Sequence, residues 1–229
     1  MKKFMDFFLS DADGAYALTT AGLMACIVII AVIALIIAAF LFKKDKAAIL
    51  STKQLVCIAA MLALAVVATN IKIFSLPYGG SVTFFSMLFV CIIGYWYGPK
   101  IGILSASIFS VLQFVLGGST YILSFWQVCF DYIFAFAVLG LAGFFYKKKN
   151  GLVIGYVVAI MARGVMASIA GYLYWMEYMP ENFPKSLTVV YPIIYNYSYI
   201  LAEAVITVIV LSIPAVKKAM MRVKKMVNE

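Results

Sequence analysis

The sequence predicts an all-α polytopic membrane protein. Of its 229 residues, 66% are hydrophobic and only 12% are charged, and the mean hydropathy of +1.07 lies far outside the range of soluble globular domains. The apolar residues form seven runs, most of them long enough to cross a bilayer as a helix. Short basic clusters separate several of these runs, as expected of loops between membrane helices.

The first predicted span, 17–42, is too long for the core of a signal peptide, so we expect a retained transmembrane helix. No linker divides the chain after it. The expected domains are therefore an N-terminal external segment with this extra helix, 1–50, and a six-helix membrane domain with a basic tail, 51–229. The six spans of that domain are predicted at 53–74, 82–97, 101–116, 121–143, 152–174 and 190–213.

The basic residues predict the orientation of the chain. Most of the 18 lysines and arginines lie in clusters that follow alternate spans, at 43–53, 100, 147–149 and 217–225. Because cytoplasmic loops carry an excess of lysine and arginine, we expect the C-terminus in the cytoplasm and the N-terminus outside the cell. The net charge of +9 then reflects topology rather than nucleic-acid binding. The segment SLPYGGS, 75–81, is expected to be an external turn.

Several kinds of chemistry are disfavoured by the composition. The sequence contains no histidine, so zinc, haem and histidine-base sites lose their commonest residue. Its four cysteines lie in apolar segments without the spacing of a metal site. Nucleotide-binding, serine-hydrolase and zinc-protease motifs are absent. We therefore expect neither an enzyme nor a cofactor, and an ATP-driven function would need an ATPase from another chain.

The span 121–143 carries a carboxylate, Asp131, in a segment otherwise typical of a membrane helix. Tyr121, Ser124, Gln127 and Asp131 are spaced by three, three and four residues, and so share one face of a helix. An ionised side chain at membrane depth costs at least about 2.5 kcal/mol and usually marks a functional path. The stripe predicts a ligand site, although pairing of Asp131 with another helix would also explain it.

Two further charges, Arg163 and Glu203, fall inside predicted spans. Trp175 shares a helix face with Arg163, and Asn196 shares one with Glu203. At about 1.5 Å per helical residue, Asp131, Arg163 and Glu203 lie at similar depths. Because an unpaired buried charge is costly, we expect Arg163 to pair with one of the carboxylates, and the deeper Glu203 is the better candidate.

Aromatic and amide side chains are expected around Asp131. A carboxylate and aromatic faces both favour a cation, and amides can hydrogen-bond the edge of a heterocycle. The predicted ligand is therefore flat, cationic and capable of hydrogen bonding. The residues expected to surround it are Tyr121, Trp126, Gln127, Trp175, Tyr191, Tyr195 and Asn196.

At these residues the chain resembles the thiamine-specific substrate-binding components, or S components, of energy-coupling factor transporters. GGSTYILSFWQVCFDY, IAGYLYW and YPIIYN are similar to family segments, and the likeness spans about residues 50–215. The resemblance implies a six-helix fold and a thiamine pocket in which Trp175 stacks on the vitamin. The residues that it assigns to ligand contact are Tyr121, Asp131, Trp175, Tyr191 and Asn196.

The resemblance also implies partners. Ala59 and Ala63 match the small-residue motif by which S components dock on a transmembrane coupling subunit that works with two ATP-binding cassette ATPases. Ordinary helix packing would explain these alanines equally well. Ala167 stands where the family has a histidine, so a thiamine precursor or analogue is an alternative substrate.

A stand-alone secondary transporter is the alternative from another class. In that reading Asp131, Arg163 and Glu203 would form an ion or proton relay across the membrane. It predicts uptake that is abolished by an uncoupler and that does not depend on an ATPase partner.

Overall fold

The structure of the protein is a computed structural model, and it describes residues 50–116 and 122–228 together with 9–12, 15–22, 24, 25 and 28. Near the N-terminus, strands β1 (Leu9–Ala12) and β2 (Ala15–Leu18) pair in antiparallel fashion. Most of the predicted first span, 17–42, lies outside the described residues.

Seven helices longer than one or two turns follow residue 50 in the described chain. They are α1 (Thr52–Asn70), α2 (Ser86–Tyr97), α3 (Pro99–Leu116), α4 (Phe125–Phe145), α5 (Gly151–Tyr174), α6 (Tyr191–Ser212) and α7 (Pro214–Asn228). By length and composition α1, α3, α4, α5 and α6 can cross a membrane, and α2 is a shorter apolar helix. The predicted all-α polytopic fold with a six-helix core is thereby confirmed.

Local sequence signals explain where these helices begin and end. Ser51 and Gln54 form a capping box at the start of α1, in which each side chain accepts the backbone N–H of the other residue, at 3.3 and 3.0 Å. Gly98, at φ 87°, ends α2, and Pro99 begins α3. The result is the tight connection between two antiparallel helices that the sequence predicts.

A β-hairpin replaces the end of the predicted span 53–74 and the beginning of the predicted span 82–97. Strands β3 (Lys72–Ser75) and β4 (Ser81–Thr83) pair in antiparallel fashion around a short 3₁₀ turn, Pro77–Gly79. The external turn expected at 75–81 is thus part of a longer hairpin, and α2 begins only at Ser86 rather than at 82. We call the end of the bundle at which β3 and β4 lie the hairpin end.

Close approach of α2, α3 and α4 depends on glycine. A Cβ atom on Gly102 would lie 2.7 Å from the Cα of Gly94, and one on Gly140 would lie 2.5 Å from the Cα of Ile103. Small residues allow backbones in membrane proteins to pack at such short distances. These contacts fix α4 against its neighbours and so fix the depth of the residues that it carries.

The helix α4 departs from regular α-helical geometry along its length. Ser124 caps its start by accepting the backbone N–H of Gln127 at 3.2 Å. The middle segment, Cys129–Phe134, is π-helical, and the last segment, Val138–Phe145, is a 3₁₀-helix. Short π-helical segments are rare, and those that occur are often found at functional sites. Here the π-helical segment contains Asp131.

The helix α7 lies at the opposite end of the bundle, which we call the basic end. The ammonium group of Lys53, in the first turn of α1, donates to the backbone carbonyl of Met226. Lys224 donates to the carbonyl of Tyr146, and its Nζ atom lies 3.7 Å from the centre of the Tyr95 ring. Partial burial in this position lowers the pKa of Lys224.

Candidate functional site

A cavity of about 660 Å³ lies between the β3–β4 hairpin and helices α2 to α6. Its size is within the range of about 300 to 1,000 Å³ that is typical of small-molecule sites. The three charges predicted inside the spans, Asp131, Arg163 and Glu203, all line it. Its aromatic residues include Tyr132, Phe136, Trp175, Tyr191, Tyr195 and Tyr199.

Asp131 is held through one of its carboxylate oxygens. The side-chain amide of Gln127 donates to Oδ2 at 2.9 Å, and the indole N–H of Trp175 donates to the same oxygen at 2.6 Å. Gln127 is fully buried, and its Oε1 accepts the backbone N–H of Leu123 at 3.2 Å. Gln127 therefore lies behind Asp131 and orients it, rather than lining the cavity as predicted.

Trp175 occupies the position at which α5 ends. Its backbone N–H donates to the carbonyl of Gly171 at 3.0 Å, and its ring lies 5.4 Å from the ring of Tyr178. The predicted place of Trp175 beside Asp131 agrees with the structure. The hydrogen bond between the two side chains adds a role for the indole N–H that the spacing alone does not predict.

The α6 wall of the cavity presents a row of tyrosines. Tyr191, Tyr195 and Tyr199 are spaced by four residues, and successive ring centres lie 5.9 and 6.1 Å apart. Aromatic rings at this spacing provide an extended face that is attractive to a flat or cationic ligand. The hydroxyl of Tyr195 donates to the carbonyl of Pro77 and accepts the backbone N–H of Gly80, which ties the hairpin to α6.

Asn196 lines the cavity with its side chain already hydrogen-bonded. Its amide nitrogen donates to the carbonyl of Ala167 at 3.2 Å and to the carbonyl of Pro192 at 2.9 Å. Its amide oxygen accepts the hydroxyl of Tyr199 at 2.9 Å. The amide is thus fixed in orientation between α5 and α6, with both N–H groups used and one acceptor position left on its oxygen.

Glu203 fastens the hairpin to the interior of the bundle. Its Oε2 accepts both the backbone N–H and the hydroxyl of Thr83, at 2.9 and 2.7 Å, and its Oε1 accepts the backbone N–H of Met87 at 3.5 Å. Glu203 is only 2% exposed. Buried carboxylates need such donors because they lose the hydrogen bonds of water.

The ion pair expected between Arg163 and Glu203 is not formed. Within the described part of the chain, Arg163 has no carboxylate within the 4.0 Å of an ion pair. Its guanidinium carbon lies 4.2 Å from the centre of the Phe136 ring, and its Nε is buried without a hydrogen-bond partner there. Donors from the hairpin satisfy Glu203 instead, so both charges face one cavity without touching.

Among the described residues, Trp126, like Gln127, does not line the cavity. Trp126 is 59% exposed on the outer side of α4, so its expected place around Asp131 is wrong. The π-helical geometry begins three residues later and does not bring it inward. Tyr121 lies outside the described residues.

Tyr132 and Gln113 also line the cavity, although the helical spacing of polar residues in the sequence does not predict them there. Tyr132 follows Asp131 directly, and in a regular helix it would point about 100° away. The wider π-helical turn cannot be read from the sequence. Gln113 gives a detectable signal in the sequence, because it is the one large polar side chain in the second half of α3.

The predicted docking residues Ala59 and Ala63 lie on an exposed face of α1. Neighbouring apolar side chains share that face, and Val56 and Val67 are 62% and 58% exposed. In the described structure the bundle does not cover these alanines. Packing within the bundle, the alternative explanation for the motif, is therefore not observed at these two residues.

Comparison with known proteins agrees with this architecture. The thiamine transporter ThiT of Bacillus subtilis (strain 168) is 28% identical over 173 residues, which is 69% of this chain and 88% of that protein. A solved structure of ThiT from Listeria monocytogenes superimposes with a TM-score of 0.58 and covers 70% of this chain and 91% of its own. At 21% identity, that likeness shows the fold.

The sequence itself matches a family. Residues 55–223, which are most of the chain and run from the first turn of α1 into α7, match the family described as thiamine transporter protein (Thia_YuaJ). The five helices that can span a membrane and the transporter relatives together identify this chain as a multi-pass membrane protein of a transporter family. The chain belongs to the thiamine transporter protein family.

Proposed function

We propose that this protein binds thiamine with high affinity outside the cell and imports it as the S component of an ATP-driven energy-coupling factor transporter. The observation that carries the proposal is the carboxylate of Asp131, held by Gln127 and Trp175 in an aromatic cavity. Family membership supports thiamine as the substrate.

The chemistry of thiamine matches that of the cavity. Its thiazolium ring is a flat cation, and its aminopyrimidine ring has hydrogen-bonding edges. The carboxylate of Asp131 and the aromatic rings favour the cation, while the fixed amide of Asn196 can meet a heterocycle edge. The residues that we propose for binding are Tyr121, Gln127, Asp131, Trp175, Tyr191 and Asn196, with Gln127 acting through Asp131.

Coupling to ATP hydrolysis would use the exposed face of α1. Ala59 and Ala63 offer a small-residue surface on which a transmembrane coupling subunit with two ATP-binding cassette ATPases could pack closely. In this proposal the hairpin end faces the outside of the cell and the basic end faces the cytoplasm. We further propose that residues 1–50 comprise an N-terminal external segment and an extra transmembrane helix, and that 51–229 form the six-helix substrate-binding domain with its basic tail.

A thiamine precursor or analogue is a second candidate, and Ala167 is the observation that favours it. Ala167 lines the cavity and contributes only a methyl group there. A cavity of about 660 Å³ leaves room beside this residue for a ligand of different shape. Titrating the separate pyrimidine and thiazole precursors against the same protein would distinguish this candidate, because tighter binding of either would exclude thiamine as the preferred ligand.

The direct test is a thiamine titration of the purified protein in detergent, monitored by tryptophan fluorescence. We expect saturable quenching at nanomolar to low micromolar thiamine, because Trp175 lines the cavity beside Asp131. A folded protein that does not respond to thiamine or to its precursors would refute the proposal.

A further inference from the structure

The helix α7 has two different faces. Val216, Met220, Val223 and Val227 recur at spacings of four, three and four residues, and they pack against the buried core of the bundle. Val227 is only 6% exposed. Because α1, α2 and α6 cover this apolar face, α7 does not need a membrane or a partner to bury it.

The opposite face of α7 is basic and exposed. Lys217, Lys218 and Arg222 are all exposed, and α7 contains no acidic residue. Lys218, Arg222 and Lys225 follow one another at spacings of four and three, and so form a row opposite the apolar face. Met221, between them, is an exposed apolar side chain at 53%. We call these exposed residues of α7 the basic face.

Lys224, which points from α7 toward the bundle, places the basic face next to a second basic segment. Lys224 is bound to the carbonyl of Tyr146, directly before the exposed lysines 147–149. In the described chain, no carboxylate lies in α7 or in the turns at the basic end. The described acidic residues are Asp11, Asp131, Glu177, Glu181 and Glu203.

We propose that the basic face of α7 binds anionic phospholipid headgroups. α7 begins at Pro214, immediately after the spanning helix α6 ends, so it lies at the level where the chain leaves the bilayer. Basic clusters next to a spanning helix are attracted by anionic lipids, and exposed apolar side chains such as Met221 suit the boundary with the acyl chains. This position favours a lipid over an acidic protein surface.

Lipid binding at α7 would also restrain the position of the start of α1. The hydrogen bond from Lys53 to the carbonyl of Met226 joins the end of α7 to the start of the helix that carries Ala59 and Ala63. A lipid-bound α7 therefore holds the basic end of α1 at the membrane surface. This inference does not depend on the identity of the transported ligand.

The test uses the full chain, purified in detergent and equilibrated with equal amounts of phosphatidylglycerol and phosphatidylcholine. Native mass spectrometry then counts the lipids that remain bound. The variant carries Lys217→Gln, Lys218→Gln and Arg222→Gln, and the control carries Lys72→Gln and Lys185→Gln, which remove exposed cations elsewhere. Circular dichroism and gel filtration verify that each variant is folded.

We expect the unaltered chain and the control to retain phosphatidylglycerol in preference to phosphatidylcholine. In the α7 variant the ratio of retained phosphatidylglycerol to phosphatidylcholine should fall at least about tenfold, because three cations that attract the headgroups are removed. No preference in the unaltered chain, or equal retention by the α7 variant, would overturn the proposal. If the variant keeps its lipid and instead fails to assemble with other transporter subunits, the basic face is a protein-binding surface and the lipid assignment is wrong.

Discussion

The indole N–H of Trp175 donates to Oδ2 of Asp131 at 2.6 Å and thereby joins the end of α5 to the π-helical part of α4. Gln127 donates to the same oxygen from one turn earlier in α4. A carboxylate fixed by two donors is preorganised, so a bound cation does not have to order it.

Replacing Asp131 with asparagine should weaken thiamine binding by about thirtyfold or more, while the protein still folds. The substitution keeps the shape of the side chain but removes the negative charge that would pair with the thiazolium cation, and the loss of one partner of a charge pair typically costs about 2 kcal/mol or more. Fluorescence titration measures the affinity. The affinity for an uncharged pyrimidine precursor should fall much less. Unchanged thiamine affinity would exclude Asp131 from the site.

Trp175→Phe separates stacking from hydrogen bonding. Phenylalanine keeps an aromatic face but cannot donate to Asp131, so we expect thiamine affinity to fall by about tenfold, the value of one charge-assisted hydrogen bond. Trp126→Phe is the matched control, because Trp126 lies on the outer side of α4. Isothermal titration calorimetry avoids dependence on tryptophan signal. Equal effects of the two substitutions would contradict the proposed role of Trp175.

Gln127→Leu should lower thiamine affinity without direct loss of a ligand contact. Leucine has a similar volume but donates nothing to Asp131 and leaves the N–H of Leu123 without its acceptor. We expect a reduction of about three- to tenfold.

The positioning role of Gln127 can be tested by combining substitutions. In the Asp131→Asn background, Gln127→Leu should have little further effect on affinity, because its target is already altered. Additive effects in the double variant would show that Gln127 acts independently of Asp131.

Glu203→Gln should loosen the hairpin. Glutamine turns an amide N–H₂ toward one of the donors of Thr83 or Met87, so at least one buried hydrogen bond is lost, at a cost of about 1 to 3 kcal/mol. The apparent midpoint of thermal unfolding in detergent should fall. Thr83→Val removes the hydroxyl bonds to both Glu203 and Ser86 but leaves the backbone donors of Glu203 in place, and it should also lower the midpoint. A midpoint that Glu203→Gln leaves unchanged would mean that the hairpin is held elsewhere.

Ala59→Leu with Ala63→Leu should impair transport but not thiamine binding. The larger side chains would prevent a helix of the coupling subunit from approaching the exposed face of α1. Ala202→Leu, on the exposed side of α6, is the matched control. Co-purification with the coupling subunit measures assembly. Full uptake by the double variant, with sensitivity to an uncoupler, would favour the secondary-transporter alternative.

Hydrophobic length was enough to predict the six core helices, because a membrane helix satisfies its own backbone and needs only an apolar run. The polar stripes also predicted that Asp131, Trp175, Tyr191 and Asn196 would face one space, and all four line the cavity. Regular helical spacing failed where the helix is irregular. Tyr132 enters the cavity from the π-helical segment, whose geometry depends on the packing of α4 against its neighbours.

By itself the sequence determined the fold class, the presence of three charged residues within apolar helices and the aromatic character of the site, since each depends on local composition and helical period. Only the tertiary structure decided which groups the charged side chains pair with. Glu203 could have paired with Arg163 by depth alone, yet backbone and hydroxyl donors of the hairpin reach it first. Such contacts depend on how distant segments pack. Hydrogen bonds of 2.7 and 2.9 Å require atomic positions that the helical spacing of residues in the sequence does not specify.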